Sequence, residues 1–177
     1  MDFSRLEKNL IDVVTEQQAK LGYRRETIRL YYPLSSLNRF LCTQQTPNEM
    51  MSSMAAFCER EKDHLGTISV TKEGERFCLI LGPEVSEYID LHTKKSGLIF
   101  DLVEVVTEHD VPIERIKKIF ERYSDHVYFE KMNNGEFDYL MYFEDGSPDD
   151  YRYCFTEEGH HIIYHRYTKE DYEEFGF

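Results

Sequence analysis

The chain has 177 residues, with 34 acidic against 21 basic side chains for a formal net charge of -13, and it carries 13 tyrosines and 12 phenylalanines but no tryptophan. A chain of this length buries a core without disulfide or metal staples, and a hydrophobic share of 41% excludes disorder as its main state. The acidic excess repels phosphate backbones, and Tyr23-Arg24-Arg25 and Lys94-Lys95 are too short to make a basic patch, so nucleic acid is not an expected partner.

The four cysteines, Cys42, Cys58, Cys78 and Cys154, stand at wide spacings with no CxxC pair and no histidine at ligand spacing. The first residues, MDFSRLEKNL, have neither a basic stretch nor an apolar run, and no segment approaches the length of a membrane span. Reduced cysteines in the cytoplasm, without a membrane association, are the expectation. No Pro/Gly/Ser-rich linker interrupts the chain, so residues 1–177 read as a single α+β domain: helix-rich over 1–124 with a hairpin at 67–81, a meander over 125–167, and a short terminal helix over 168–175.

Ser4-x-x-Glu7 has the spacing of a capping box, and Leu6, Leu10, Val13, Val14 and Leu21 then recur at helical period up to Gly22. A first helix is predicted from about residue 5 to 21. Thr27 to Tyr32 alternates and is rich in β-formers, which favours a strand, with its place in a sheet left open. Leu34, Leu37, Asn38 and Leu41 mark a short helix after Pro33. Thr46-Pro47-Asn48-Glu49 is the strongest start signal, with a capping Thr, Pro at the first helical position and Glu at the third. Met50, Met54, Phe57 and Cys58 share one face of the helix that follows, with Glu61 at its rim; at this period a methionine stripe reads as core packing.

His64-Leu65-Gly66 closes that helix. Thr67 to Thr71 and Arg76 to Leu81 form a predicted hairpin, expected at an edge of the same sheet as the later strands because two strands alone are marginal. Gly82-Pro83 opens a helix facing inward through Val85, Tyr88 and Ile89; one glycine before acidic Glu84 and Glu87 makes no phosphate cradle. The most apolar helix holds Leu98, Ile99, Leu102, Val103 and Val106. Asp110-Val111-Pro112 caps another, with Ile113, Ile116, Ile119, Phe120 and Tyr123 inward.

Four strand-like runs then form an aromatic meander. At Asn133-Asn134-Gly135 two registers are open: a two-residue turn sets Lys131 across from Asp138, and a three-residue turn with a Gly bulge sets Phe129 across from Tyr139. A two-residue loop at Glu158-Gly159 pairs Phe155 with Ile162 and Tyr153 with Tyr164, and puts Arg152 opposite His165. The core face is then Phe137, Tyr139, Met141, Phe143, Tyr151, Tyr153, Phe155, Ile162 and Tyr164. The other face carries Asp138, Leu140, Tyr142, Glu144, Arg152, Cys154, His161, Ile163, His165 and Tyr167. Tyr172 and Phe175 of the terminal helix pack back. The expected fold is α+β, with helices packed on an antiparallel sheet dominated by the C-terminal four-stranded meander.

No chemistry-bearing motif is complete. On a strand His161 and His165 lie roughly 13 Å apart, too far to share one ion. His109-Asp110 reads as an exposed histidine beside a capping aspartate. Asp145 to Asp150 lacks the loop length and closing glutamate of a calcium hand. Cys154 reads as a small buried hydrophobe. No catalytic residue, metal or cofactor is therefore expected. The binding candidates are Tyr142, Arg152, His161, His165 and Tyr167, which combine flat contact area with hydrogen-bond donors. They point to a non-catalytic binding or protein-interaction domain, partnered by a second copy of the chain or another protein. The alternative is a small hydrolase-like enzyme with a His/Cys/Arg site on the same face.

Overall fold

The computed structural model describes residues 2–177. Its contacts divide the chain into two compact units, Met1–Lys94 and Lys95–Phe177.

The first unit contains α1 (Ser4–Leu21), β1 (Ile28–Pro33), α2 (Leu34–Leu41), α3 (Pro47–Glu61), β2 (Ile68–Glu73), β3 (Arg76–Leu81) and α4 (Pro83–His92). Its three strands form an antiparallel sheet in the order β1-β3-β2, so the 67–81 hairpin is completed by β1 and lies in a sheet separate from the C-terminal one. The expected placement at an edge of the meander is corrected: β1 supplies the third strand that the hairpin needs. Leu79 is paired with both Leu30 and Val70, and Leu81 with both Ile28 and Ile68, so the apolar residues of alternating positions meet on one face. Against them pack Leu6, Leu10 and Val14 of α1, Leu37 and Leu41 of α2, Met50, Met54 and Phe57 of α3, and Val85 and Ile89 of α4. The methionine stripe is core, as its helical period predicts.

Local chemistry sets the helix ends. Glu49 Oε2 accepts from both the amide and the hydroxyl of Thr46 at 2.8 Å, which fixes the start of α3. At α1 the expected box is absent. Ser4 is already helical, and the acceptor is Asp2, whose Oδ1 takes the Ser4 amide at 2.9 Å and the Ser4 hydroxyl at 2.7 Å. Glu7 is thereby left for other partners.

The second unit contains α5 (Leu98–Val106), α6 (Ile113–Glu121), β4 (Val127–Lys131), β5 (Tyr139–Phe143), β6 (Arg152–Glu158), β7 (His161–Tyr167) and α7 (Lys169–Phe175). The four strands form an antiparallel meander in sequence order. Phe120 of α6 is its packing centre: the ring stacks on Phe143 at 5.3 Å and meets Tyr153 edge-on at 5.0 Å. Met141, Phe143, Tyr153 and Phe155 are essentially fully buried, and Tyr151, Ile162 and Tyr164 nearly so. These seven lie on the core face that the alternation predicts, while Tyr139, expected with them, is only half-buried at the start of β5. The buried Tyr153 hydroxyl donates to Asp149 Oδ2 at 2.7 Å.

Both hairpin registers differ from expectation. Lys131 pairs with Tyr139, and the Met132 amide donates to the Asp138 carbonyl at 2.7 Å, so residues 133–137 form the connection. Asn134 Oδ1 accepts the amides of Glu136 and Phe137 and closes a side-chain turn that displaces the tight Asn-Gly turn. Between β6 and β7 the connection is Gly159-His160, with Glu158 opposite His161, Phe155 opposite Tyr164 and Arg152 opposite Tyr167. Gly159, at φ 62°, takes the left-handed position. The shift moves β7 by two residues, a full side-chain period, so every residue keeps its face.

Candidate functional site

The five residues singled out on the outer face fall into three groups, of which the first two adjoin where Arg152 pairs with Tyr167. Arg152 of β6 lies with its guanidinium carbon 3.8 Å from the ring centroid of Tyr142 of β5. Tyr128, the direct partner of Tyr142 on β4, stacks on that ring at 4.6 Å. Cation, ring and ring thus form a half-buried, amphipathic platform.

His165 and Tyr167 of β7 belong to a second group. Phe137 lies 6.1 Å from His165 and 4.9 Å from Phe177, and Tyr167 lies 5.4 Å from Phe177 and 5.8 Å from Phe175. Phe137 was expected on the core face. It sits in the connection between β4 and β5, where strand alternation does not govern direction, and it joins this outer cluster instead. Leu140 and Cys154 are buried although they belong to the outer face. The terminal segment provides cover there: burial raises the Tyr172 hydroxyl above its ordinary range, with Cys154, Glu130 and Tyr142 adding to the shift and the Arg152 cation opposing it. Ile163 at 40% and Phe175 at 62% exposure remain open to solvent.

His161 forms the third group, away from the other four. Its ring packs on His109 at 4.3 Å, while the neighbouring His160 Nδ1 lies 2.7 Å from Asp110 Oδ1. Asp110 does not cap α6, whose N-cap is Pro112; it takes a left-handed φ of 54° and binds the β6–β7 turn. Asp and Asn tolerate that backbone better than most residues.

Cys154 stands directly opposite His165 in the ladder. Burial pushes its thiol up to about 12, so the thiolate that a nucleophile needs is not formed near neutral pH. Cys58 is pushed up to about 11 for the same reason.

A different cluster, in the first unit, was not among the sequence candidates. Glu61, expected at the rim of α3, is 1% exposed. Arg60 contacts Glu61 Oε1 through both Nε and a terminal nitrogen, and the same terminal nitrogen reaches Glu7 Oε2 at 2.8 Å. His64 Nδ1 stands 3.5 Å from Glu7 Oε1 and 3.5 Å from Glu61 Oε2, and its Nε2 is 3.1 Å from the Tyr88 hydroxyl. One ligand atom each from Glu7, Glu61 and His64 lie within 4.8 Å of one another, which makes this the group of described residues able to hold a metal ion. Part of it was legible as Glu61-x-x-His64, the one-turn spacing that sets two side chains on one flank. Glu7, over fifty positions away, gave no local signal.

Among the described residues, no helix is long and apolar enough to cross a membrane. No curated protein and no solved structure matches the chain. A family model described as "Domain of unknown function, E. rectale Gene description (DUF3877)" matches residues 3–176, across both compact units, and the chain belongs to that family.

Proposed function

We propose that the chain is a non-catalytic protein-interaction domain whose partner docks on the outer face of the C-terminal sheet. The observation that carries this reading is the Arg152–Tyr142–Tyr128 platform, a planar cation on two aromatic rings at the protein surface. Side chains of this kind supply large contact area and donors with few rotatable bonds, and they are enriched where proteins meet. The exposed Ile163 and Phe175 add apolar surface on the same side of the sheet and on α7. The hydrolase-like alternative has less support, because the one cysteine on this face is buried with its thiol pushed up to about 12. Four free cysteines are in keeping with a reducing, cytoplasmic setting.

A second copy of the chain is the partner that purified protein tests directly. Sedimentation equilibrium of the full chain is expected to show a reversible dimer, with Arg152→Glu and Ile163→Asp shifting it to monomer while circular dichroism stays unchanged. A wild-type chain that remains monomeric up to high micromolar concentration would remove self-association from the reading.

A further inference from the structure

We propose that Glu7, Glu61 and His64 form a binding site for one divalent first-row transition ion, with zinc as the ion that fits best. This rests on no part of the sheet-face reading, since all three residues lie in the first compact unit.

The site is built on a fixed backbone. Glu61 is the last residue of α3, and its carbonyl accepts the amides of His64, Leu65 and Gly66 at 3.0, 2.8 and 3.2 Å. That convergence ties the turn carrying His64 to the residue carrying Glu61. Glu7 comes from the first turns of α1, between the core residues Leu6 and Leu10, and Asp2 has replaced it as the amide acceptor there.

One carboxylate oxygen of the cluster is buried without a hydrogen-bond partner. Glu61 is 1% exposed, both of its Arg60 contacts fall on Oε1, and Oε2 accepts no hydrogen bond. Buried carboxylate oxygens ordinarily have a partner. His64 Nδ1 stands 3.5 Å from Glu61 Oε2, beyond hydrogen-bond length, and at the same distance from Glu7 Oε1. Two donors each about 2.1 Å from a tetrahedral ion lie about 3.4 Å apart, so these spacings are those of ligands around an ion.

The far side of the imidazole is consistent with ligation. Nε2 faces the Tyr88 hydroxyl at 3.1 Å, an oxygen that can accept a hydrogen bond from Nε2–H, the tautomer that leaves the Nδ1 lone pair directed at the carboxylates. Metal-bound histidines are commonly held through their second nitrogen in this way. Arg60 offsets one of the two carboxylate charges from outside the donor set. The His64 side chain is 55% exposed and that of Glu7 24%, so the ion has an entry path and water can complete its coordination. An imidazole beside two carboxylates favours zinc-class ions over magnesium or calcium, which prefer oxygen-only sets.

The test is titration of the chelator-stripped full chain with zinc chloride, followed by calorimetry and native mass spectrometry, with magnesium chloride in parallel. One zinc per chain and no saturable magnesium binding are expected. His64→Ala, at an exposed position, and the near-isosteric Glu7→Gln are each expected to weaken zinc binding by about 100-fold or more, with circular dichroism confirming that both fold. His160→Ala and His161→Ala serve as controls for exposed histidines elsewhere and are expected to leave affinity unchanged. Absence of saturable zinc binding overturns the proposal, as does binding that survives His64→Ala or is lost in the His160 or His161 variants. In the former case the cluster is an ion-pair network only.

Discussion

Asp110 and His160 hold each other twice: the Asp110 amide donates to the His160 carbonyl at 2.8 Å, and His160 Nδ1 lies 2.7 Å from Asp110 Oδ1. Fifty residues of chain close on this reciprocal contact, which docks the β6–β7 turn on the segment before α6. It also explains why His161 stands with His109 and not with Tyr142 and Arg152.

The turn that makes this contact depends on Gly159, whose φ of 62° is left-handed and whose Cβ position meets nothing within 4 Å. Gly159→Ala therefore tests backbone strain alone. A loss of about 1 kcal/mol is expected in urea unfolding, with Gly159→Asn closer to wild type because Asn tolerates this region. Equal stability of all three proteins would contradict the turn geometry.

Tyr153 and His161 occupy opposite faces of the sheet, one fully buried against Phe120 and the other exposed. Tyr153→Ala is expected to cost about 3 kcal/mol and His161→Ala less than about 0.5 kcal/mol. Denaturant midpoints in the reverse order would invert the face assignment.

Asp149 and Tyr153 couple stability to pH. Burial raises the Asp149 carboxyl above its ordinary range, and the hydrogen bond from Tyr153 opposes that shift by favouring the ionised form. A raised carboxyl contributes stability that is fully present below its unfolded pKa and lost as pH rises through the folded value. Tyr153→Phe removes the opposing donor and raises the folded pKa further. Its deficit is therefore expected to be largest at neutral pH, about 2 kcal/mol, and to shrink as the carboxyl protonates on acidification. Stability curves of the two proteins that run parallel across this range would show that Asp149 is not the linked group.

The cysteines separate by environment. Cys42 is exposed at the end of α2, whereas Cys78 and Cys154 are buried and the Cys154 thiol is pushed up to about 12. Iodoacetamide labelling of native protein, followed by peptide mapping, is expected to modify Cys42 first and to reach Cys78 and Cys154 only in denaturant. Rapid native labelling of Cys154 would restore the enzyme reading of the outer face.

Local signals located the elements well. The Thr46-Pro47-Glu49 start, the Met50–Met54–Phe57 stripe and the two faces of the meander are all consequences of short-range stereochemistry or of a fixed period. Registers were harder, because Asn134 and Gly159 each select among turns that the dipeptides alone permit. The β7 offset of two residues did no harm to the faces, since alternation depends only on parity. The cluster at Glu7 was beyond reach for another reason: the removal of Glu7 from its expected capping role by Asp2, and its meeting with Arg60, are tertiary facts without a sequence period. Of the five outer-face candidates, the sequence placed all on one face, but it held no information about how the Phe137 connection, the Asp110 contact and the terminal helix would divide them.

The three-stranded sheet has a further consequence for the order in which the protein is made. Its strands all lie before Lys95, and the strands of the second sheet all lie after it. Every backbone partner that β3 requires on either side has therefore been synthesised before the first residue of α5 is added, so the nascent chain carries a complete set of pairings for its first sheet while the aromatic strands of the second are still unmade.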